Sequence, residues 1–449
     1  MNNKILKLFS NFINIESVST DKSRHGEILK AVEFLEKEIK SLGFEVNVYQ
    51  KDSCPPLIVA KKTVSLNTKT IGVYAHYDVQ PEDPVEKWNS PPFELTLKNG
   101  KFYGRGVADD KGHIIQTLIA INQLINTNKL NNNIVLIFEG EEEVGSKNFE
   151  DLISQAKPPF AKASEGLEKI DVFYVLDFGM ETGDQPEIFF GLRGLIGFEI
   201  EIKTGKKDLH SGVYGNRVYN SINVLTELLS TIKNPDTGHI LIPGFYDHVR
   251  NPTKKEWKNL LRRKQTDQDF VKEAGVYKSL TVDKKYPWLS TKIYPSFDIN
   301  GITGGYTGQG IKTIIPALAR AKFSFRLIED QMPDEIEKLV NGFIKKNLPE
   351  GVKYSLKTLG KLDPFYTNVD NKYVKTTDKI FTDIFGKQSL FTRSGGSIGA
   401  AATLSKLFNK PLILTGFTLA DCDIHAPNEN VDEKMFWKGI MALEKIFSL

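Results

Sequence analysis

Through the first part of the chain, short apolar runs alternate with helical patterns. Residues 28–42 carry apolar side chains at helical spacing and stop at Gly43. Thr70 to Ala75, Ile134 to Phe138 and Val172 to Leu176 are short apolar runs, and a fourth, Leu412 to Thr415, lies far downstream. Between the first two, Ile114, Leu118, Ile121 and Ile125 share one face of a predicted helix over 112–125. Buried strands alternating with helices predict a parallel α/β sheet covered on both faces. At the N-terminus, Ile5, Leu6, Phe9, Phe12 and Ile13 are interrupted by Lys4, Lys7 and Asn11, which reads as an amphipathic helix and not a signal peptide.

The middle of the chain changes character. Ile196, Phe198, Ile200 and Ile202 alternate with Gly197, Glu199 and Glu201, the pattern of a strand with one wet face. A helix with Ile222, Leu225, Leu228, Leu229 and Ile232 on its apolar side follows. Further on come an alternating strand (Phe323, Phe325, Leu327), a helix from Asp334 to Leu348 and a strand near Val352 to Leu356. With the apolar segment from Ile293 to Ile299, this predicts a β-α-β-β-α-β, ferredoxin-like α+β unit with one covered sheet face. Residues 244–287 are charged and helical in pattern, and read as an insertion. The α/β pattern resumes after Pro364, so the second domain is expected inside the first: 1–193, 194–363 and 364–449. The stretch 157–168, KPPFAKASEGLE, reads as a surface loop.

Composition narrows the function classes. The chain of 449 residues is 40% hydrophobic and 26% charged, ample for more than one globular core. Its formal charge of +3 and the short Arg262-Arg263-Lys264 cluster, without an aromatic-studded basic stripe, argue against a nucleic-acid partner. No apolar run reaches the roughly 18 residues that span a bilayer, so no membrane partner is expected. Cys54 and Cys422 lack CxxC spacing and are too few for a disulfide framework, which points to a reducing, cytoplasmic location.

Five polar clusters follow apolar strands or open a helix. They are His76-Tyr77-Asp78, the loop Gly104 to Gly112 with Asp109 and Asp110, the run Glu139 to Glu143, Asp177, and Asp421 to His425. In open α/β sheets ligands bind at the carboxyl ends of the strands, so these clusters are expected to converge. Imidazoles and carboxylates without thiolates suit divalent transition metals, and cations relieve the mutual repulsion of the acids. In His76-x-Asp78 both side chains lie on one side of an extended chain, so Asp78 can fix the ring tautomer of His76. Each cluster alone is an ordinary solvated loop. Their coincidence at corresponding strand ends carries the reading. His25, His113, His239 and His248 lack such company and are read as structural.

These stretches, together with Trp88 to Phe93, Glu139-Gly140-Glu141-Glu142-Glu143-Val144-Gly145-Ser146, Asp208 to Gly215, Lys312 to Pro316, Phe323-Ser324-Phe325-Arg326, Gly395-Gly396-Ser397 and His425 to Glu429, resemble the M20 metallopeptidases, in their branch of cytosolic dipeptidases and carnosinase-like enzymes. The resemblance implies a zinc-peptidase-like catalytic domain with a mixed sheet and an inserted lid and dimerisation domain. It implies two divalent metals, usually zinc and sometimes manganese or cobalt. His76 and Asp177 would bind one, Glu143 and His425 the other, and Asp109 both, with a cis Asp109-Asp110 peptide. Glu142 would be the general base, with Asp78 behind His76. His210 would stabilise the oxyanion, Arg326 would clamp the substrate carboxylate, and Thr313, Gly396 and Ser397 would line the substrate site. A homodimer in which His210 serves the neighbouring subunit is implied as well. Where animal dipeptidases often carry Glu before Gly-Gly-Ser, this chain has Ser394.

The resulting expectation is a two-metal hydrolase of dipeptides or short peptides. An amidohydrolase acting on N-acyl amino acids would use the same centre. A non-catalytic metal-binding protein would not need the full set of His76, Asp109, Glu142, Glu143, Asp177 and His425.

Overall fold

The computed structural model describes residues 3–156, 167–263 and 265–448. The loop expected at 157–168 therefore lies outside the described residues, apart from its last two positions, which open a short 3-10 turn at Leu167–Lys169. The chain forms two compact units, one of residues 1–190, 367–392 and 398–449, the other of residues 191–366 and 393–397.

The first unit is built on a mixed sheet. Its strands run Glu45–Tyr49, Leu57–Lys62, Asn133–Glu139, Thr70–His76, Val172–Val175, Leu412–Leu414 and Glu187–Leu192 in spatial order. The central four are parallel to one another, whereas the flanking pairings are antiparallel. The apolar runs expected to pair in parallel do so at the centre, and the antiparallel flanks make the whole the mixed sheet that the family resemblance implied. Every residue of Thr70–His76 and of Asn133–Glu139 is buried, as continuous β-branched and apolar runs require of strands covered on both faces. Helix Lys111–Asn126 packs on Thr70–His76 and against helices Asn3–Ile13 and Glu433–Phe447. Ile114, Leu118 and Ile121 are its buried anchors, each stabilising by about 1.5–3 kcal/mol through burial. The parallel register His76 to Glu139 and Tyr74 to Val175 brings the strands' carboxyl ends to one edge of the sheet.

The second unit has an antiparallel sheet in the order Ser296–Gly304, Leu318–Leu327, Gly194–Lys203, Lys353–Leu362. This is the ferredoxin-like order. Helices Ser221–Ser230 and Pro333–Asn347 cover one face. The strict alternation of buried and half-buried residues along Gly194–Lys203 matches the apolar-polar pattern. Ser296–Gly304 is an edge strand with Ile299 and Ile302 exposed. The charged 244–287 stretch holds two short helices, Lys254–Leu260 and Asp267–Ala274, each opened by a capping box at Thr253/Glu256 and Thr266/Asp269. Among the described residues no helix is long and apolar enough to cross a membrane.

Candidate metal centre

Each cluster at the sheet's carboxyl edge is placed by local structure. His76 ends a fully buried strand, and its backbone N–H donates to Asp110 Oδ2 at 3.1 Å. The loop carrying Asp109 runs into helix Lys111–Asn126. A β-carbon on Gly112 would lie 2.0 Å from the Val107 carbonyl oxygen, so only glycine lets that loop fold back on the helix start. Glu142 and Glu143 sit in a 3-10 turn two residues beyond Gly140, where a β-carbon would strike the Tyr77 ring at 2.5 Å. Asp177 follows strand Val172–Val175, and His425 lies in the loop after Thr418–Leu419 with φ of 62°. The Asp109-Asp110 peptide is cis.

These residues converge. Asp109 Oδ1 lies 2.9 Å from His76 Nε2, and its Oδ2 lies 2.9 Å from His425 Nε2. His76 Nε2 is also 3.8 Å from Asp177, and His425 Nε2 is 3.2 Å from Glu143 Oε2. Donor atoms of His76, Glu142 and Asp177 lie within 4.8 Å of one another, as do those of Asp109, Glu143 and His425. Asp78 stands behind them: its Oδ1 accepts from Glu142 N at 3.2 Å, its Oδ2 from Glu143 N at 3.1 Å, and Oδ1 is 3.4 Å from His76 Nδ1.

Electrostatics report the crowding. Burial, and then the charge of Asp177, pushes the Glu142 carboxyl well above the usual range. Burial likewise pushes Asp177 up to about 7. Burial opposes the charge on His76, but its bonds to Asp109, Asp177 and Asp78 outweigh that and raise its pKa well above normal. His425 is raised to about 10 by its bonds to Asp109 and Glu143. Asp109 moves the other way: the two histidines overcome burial and hold it well below the carboxylate range.

The donor set fits divalent ions. Four carboxylates and two imidazoles, with no thiolate, face one another, and cations among them would neutralise the acids. Glu143 Oε1 is buried without a hydrogen-bond partner, while Glu143 Oε2 accepts from Gln80 Nε2 at 2.7 Å. A buried, unsatisfied carboxylate oxygen is costly unless something binds it.

The remaining candidates fall in the second unit, in two groups. His210 and Thr313 are neighbours: Leu209–His210 pairs with Ile314–Ile315, and Ser211 N donates to Thr313 O at 3.1 Å. His210 is exposed, its Nδ1 accepting from Gly212 N at 3.0 Å. Arg326, Gly396 and Ser397 form the other group. Arg326 Nη1 donates to Ser397 Oγ at 2.9 Å, and Ser394 Oγ accepts from Gly396 N at 3.0 Å.

Two supports of the sites were not foreseen as such. His113, read as structural, is indeed so: it is buried with Nδ1 2.5 Å from Asp110 Oδ1, and its Nε2 accepts from Phe417 N at 3.0 Å. It is a scaffold of the centre rather than a ligand, and the i, i+3 spacing from Asp110 at a helix start was the available signal. Arg193 holds the Gly-Gly-Ser loop: its backbone N–H donates to Gly396 O at 3.1 Å, its Nε donates to Gly395 O at 2.9 Å, and its carbonyl accepts from Ser397 Oγ. No local pattern marks it, because its partners lie some two hundred positions away.

Comparison with known proteins agrees with this geometry. Residues 72–448 match the model of peptidase family M20/M25/M40. The chain is 30% identical to the Cys-Gly metallodipeptidase dug1 of Schizosaccharomyces pombe over 446 residues, covering 96% of this chain and 92% of that protein. It is also 30% identical to the human Beta-Ala-His dipeptidase over 399 residues, covering 88% and 77%. Among solved structures, the M20 family metallo-carboxypeptidase Sso-CP2 from Sulfolobus solfataricus superposes with a TM-score of 0.87 at 29% identity, covering 100% of this chain and 99% of that one. The chain belongs to peptidase family M20/M25/M40.

Proposed function

We propose that this chain is a two-metal dipeptidase that hydrolyses the amide bond of dipeptides and other short peptides. The observation that carries this reading is the convergence of His76, Asp109, Glu142, Glu143, Asp177 and His425 as two adjoining donor groups. The dipeptidase relatives, aligned along most of the chain, supply the substrate class. Removal of an acyl group from N-acyl amino acids is not favoured, because those relatives act on dipeptides.

His76 and Asp177 would hold one ion and Glu143 and His425 the other, with Asp109 shared. Zinc suits this set, with manganese or cobalt as substitutes. Bound there, the ions would supply Lewis acidity toward the scissile carbonyl and the attacking water. Glu142 takes the water's proton and delivers it to the leaving nitrogen. A carboxylate whose oxygen lies within 4.8 Å of the donor atoms of His76 and Asp177 suits both halves of that transfer. Asp78 keeps His76 in one tautomer and fixes the turn that presents Glu142. Arg326, with Ser397 and Gly396, holds the substrate carboxylate, a task for a planar fork of donors. Thr313 lines the substrate site, and His210 stabilises the oxyanion.

The first unit is then the catalytic domain and the second a lid and dimerisation domain. The exposed edge strand with Ile299 and Ile302, and exposed Val213, Tyr214, Tyr219 and Ile311, support an isologous homodimer. His210 lies beside that surface and would serve the partner subunit. Free Cys54 and Cys422 fit a cytoplasmic location.

The test is a panel of dipeptides, Cys-Gly and β-Ala-His among them, against N-acetyl and N-succinyl amino acids, assayed after chelation and after zinc, manganese or cobalt is returned. Metal-restored dipeptide hydrolysis is expected. Turnover of N-acyl amino acids alone would overturn the substrate class.

A further inference from the structure

We propose that Glu429 is the positioning residue of the metal centre: its buried carboxylate fixes the loop that presents Asp109 and joins it to the segment that presents His425. The inference rests on the reading of Asp109 and His425 as ligands.

Glu429 is fully buried. Its Oε1 accepts from Ala108 N at 2.9 Å and from Asp109 N at 3.0 Å. Its Oε2 accepts from Arg105 Nη1 at 2.7 Å and from Gly106 N at 3.0 Å. One carboxylate therefore takes four donors, three of them backbone N–H groups of the loop that ends in Asp109. Residues 104–110 lie outside any helix or strand, so this loop draws its shape from such contacts. The backbone carbonyl of Glu429 adds a fifth bond, from Gly104 N at 3.1 Å.

Arg105 is held in turn. Its Nη2 donates to Pro81 O at 2.9 Å, and its guanidinium lies 5.4 Å from the Trp88 ring centroid. On the other side, Glu429 follows His425 by four residues, and Asn430 N donates to Cys422 O at 2.8 Å, closing the segment that carries His425. Both Asp109 oxygens face histidines while its own N–H is pinned by Glu429. Only an ionised carboxylate satisfies four donors with two oxygens. A glutamine would turn an NH₂ group toward two of them.

The test is cobalt binding, measured by competition with a chelator and by the visible absorption of the bound ion, in the full chain and its variants. Glu429→Gln should weaken cobalt binding about 10–100-fold, the range for residues that orient metal ligands, and should alter the absorption. Unchanged affinity and spectrum with only a lower melting temperature of the metal-free protein would overturn the proposal, because Glu429 would then serve stability alone. If Glu429→Gln does not fold, Arg105→Lys replaces it. It retains the charge but loses the Nη1 geometry, and a severalfold loss of affinity is expected where an unchanged value would refute. Asp109→Asn separates the two levels of the argument. If it too binds cobalt like the parent, the ligand assignment is what fails. If it weakens binding and Glu429→Gln does not, only the role of Glu429 fails.

Discussion

Asp78 Oδ1 lies 3.4 Å from His76 Nδ1, on the side of the ring opposite the Nε2 that faces Asp109. The His76 Nδ1 also lies 3.1 Å from the Asp78 carbonyl oxygen, so one residue confronts that nitrogen with two acceptors. A proton held on Nδ1 leaves Nε2 with its lone pair toward the centre, as a metal ligand needs. Because Asp78 also accepts from the N–H groups of Glu142 and Glu143, it ties His76 to the two residues proposed as general base and as ligand of the other ion.

Asp78→Ala is accordingly predicted to lower kcat and metal affinity together, by about 10–100-fold. Steady-state kinetics and metal competition on the same preparation check this. A variant with kcat reduced but metal affinity unchanged would show that Asp78 does not act through His76.

Glu142 and Glu143 are adjacent and should behave differently. Glu142→Ala is predicted to reduce kcat by about 10²–10⁴-fold, the contribution of a general base, with metal content nearly intact. Glu143→Ala should lose one ion, since its Oε2 shares His425 Nε2 with Asp109. Elemental analysis of both variants decides, and the reverse pattern would exchange the two roles.

Metal binding should release protons at neutral pH. His425, raised to about 10, is protonated at pH 7 in the metal-free protein, and Asp177, raised to about 7, is partly so. Both must give up their protons to bind a cation, so affinity rises with pH until they are deprotonated and falls in acid. Calorimetry in buffers of different ionisation heat should show net release at pH 7, and zero release would contradict the charge assignment.

The homodimer reading predicts complementation. Mixed under subunit exchange, inactive His210→Ala and Glu142→Ala chains should regain activity, because one site of each heterodimer has an intact Glu142 and the partner's His210. Heterodimers that form and stay inactive would place His210 in its own subunit's chemistry or outside the reaction.

Much of the fold was legible because burial leaves a direct trace in the sequence. The runs at Thr70 to Ala75 and Ile134 to Phe138 are strands buried on both faces, and the alternation at Ile196 to Ile202 is a strand with one wet face. Antiparallel pairing at the sheet edges left no such trace. The acids and histidines of the centre were legible because they stand at or after strand ends or, for Asp109, at a helix entry. Asp78 was legible from its spacing to His76, but the supports that lie farther off in sequence were not. Glu429 meets Asp109 across 320 positions, and Asp110 meets the backbone of His76 across 34. Contacts of that range are set by the folded topology, with no periodicity to announce them.

The central claim is that dipeptide hydrolysis requires two ions held by this cluster. Its most direct measurement is a zinc titration of the chelated protein, with dipeptide hydrolysis and bound metal followed together. The account predicts no turnover without metal, full activity only as occupancy reaches two ions per chain, and loss of that second-ion requirement's signature in Asp109→Asn. Full activity at one ion per chain, or turnover that survives complete chelation, would contradict it.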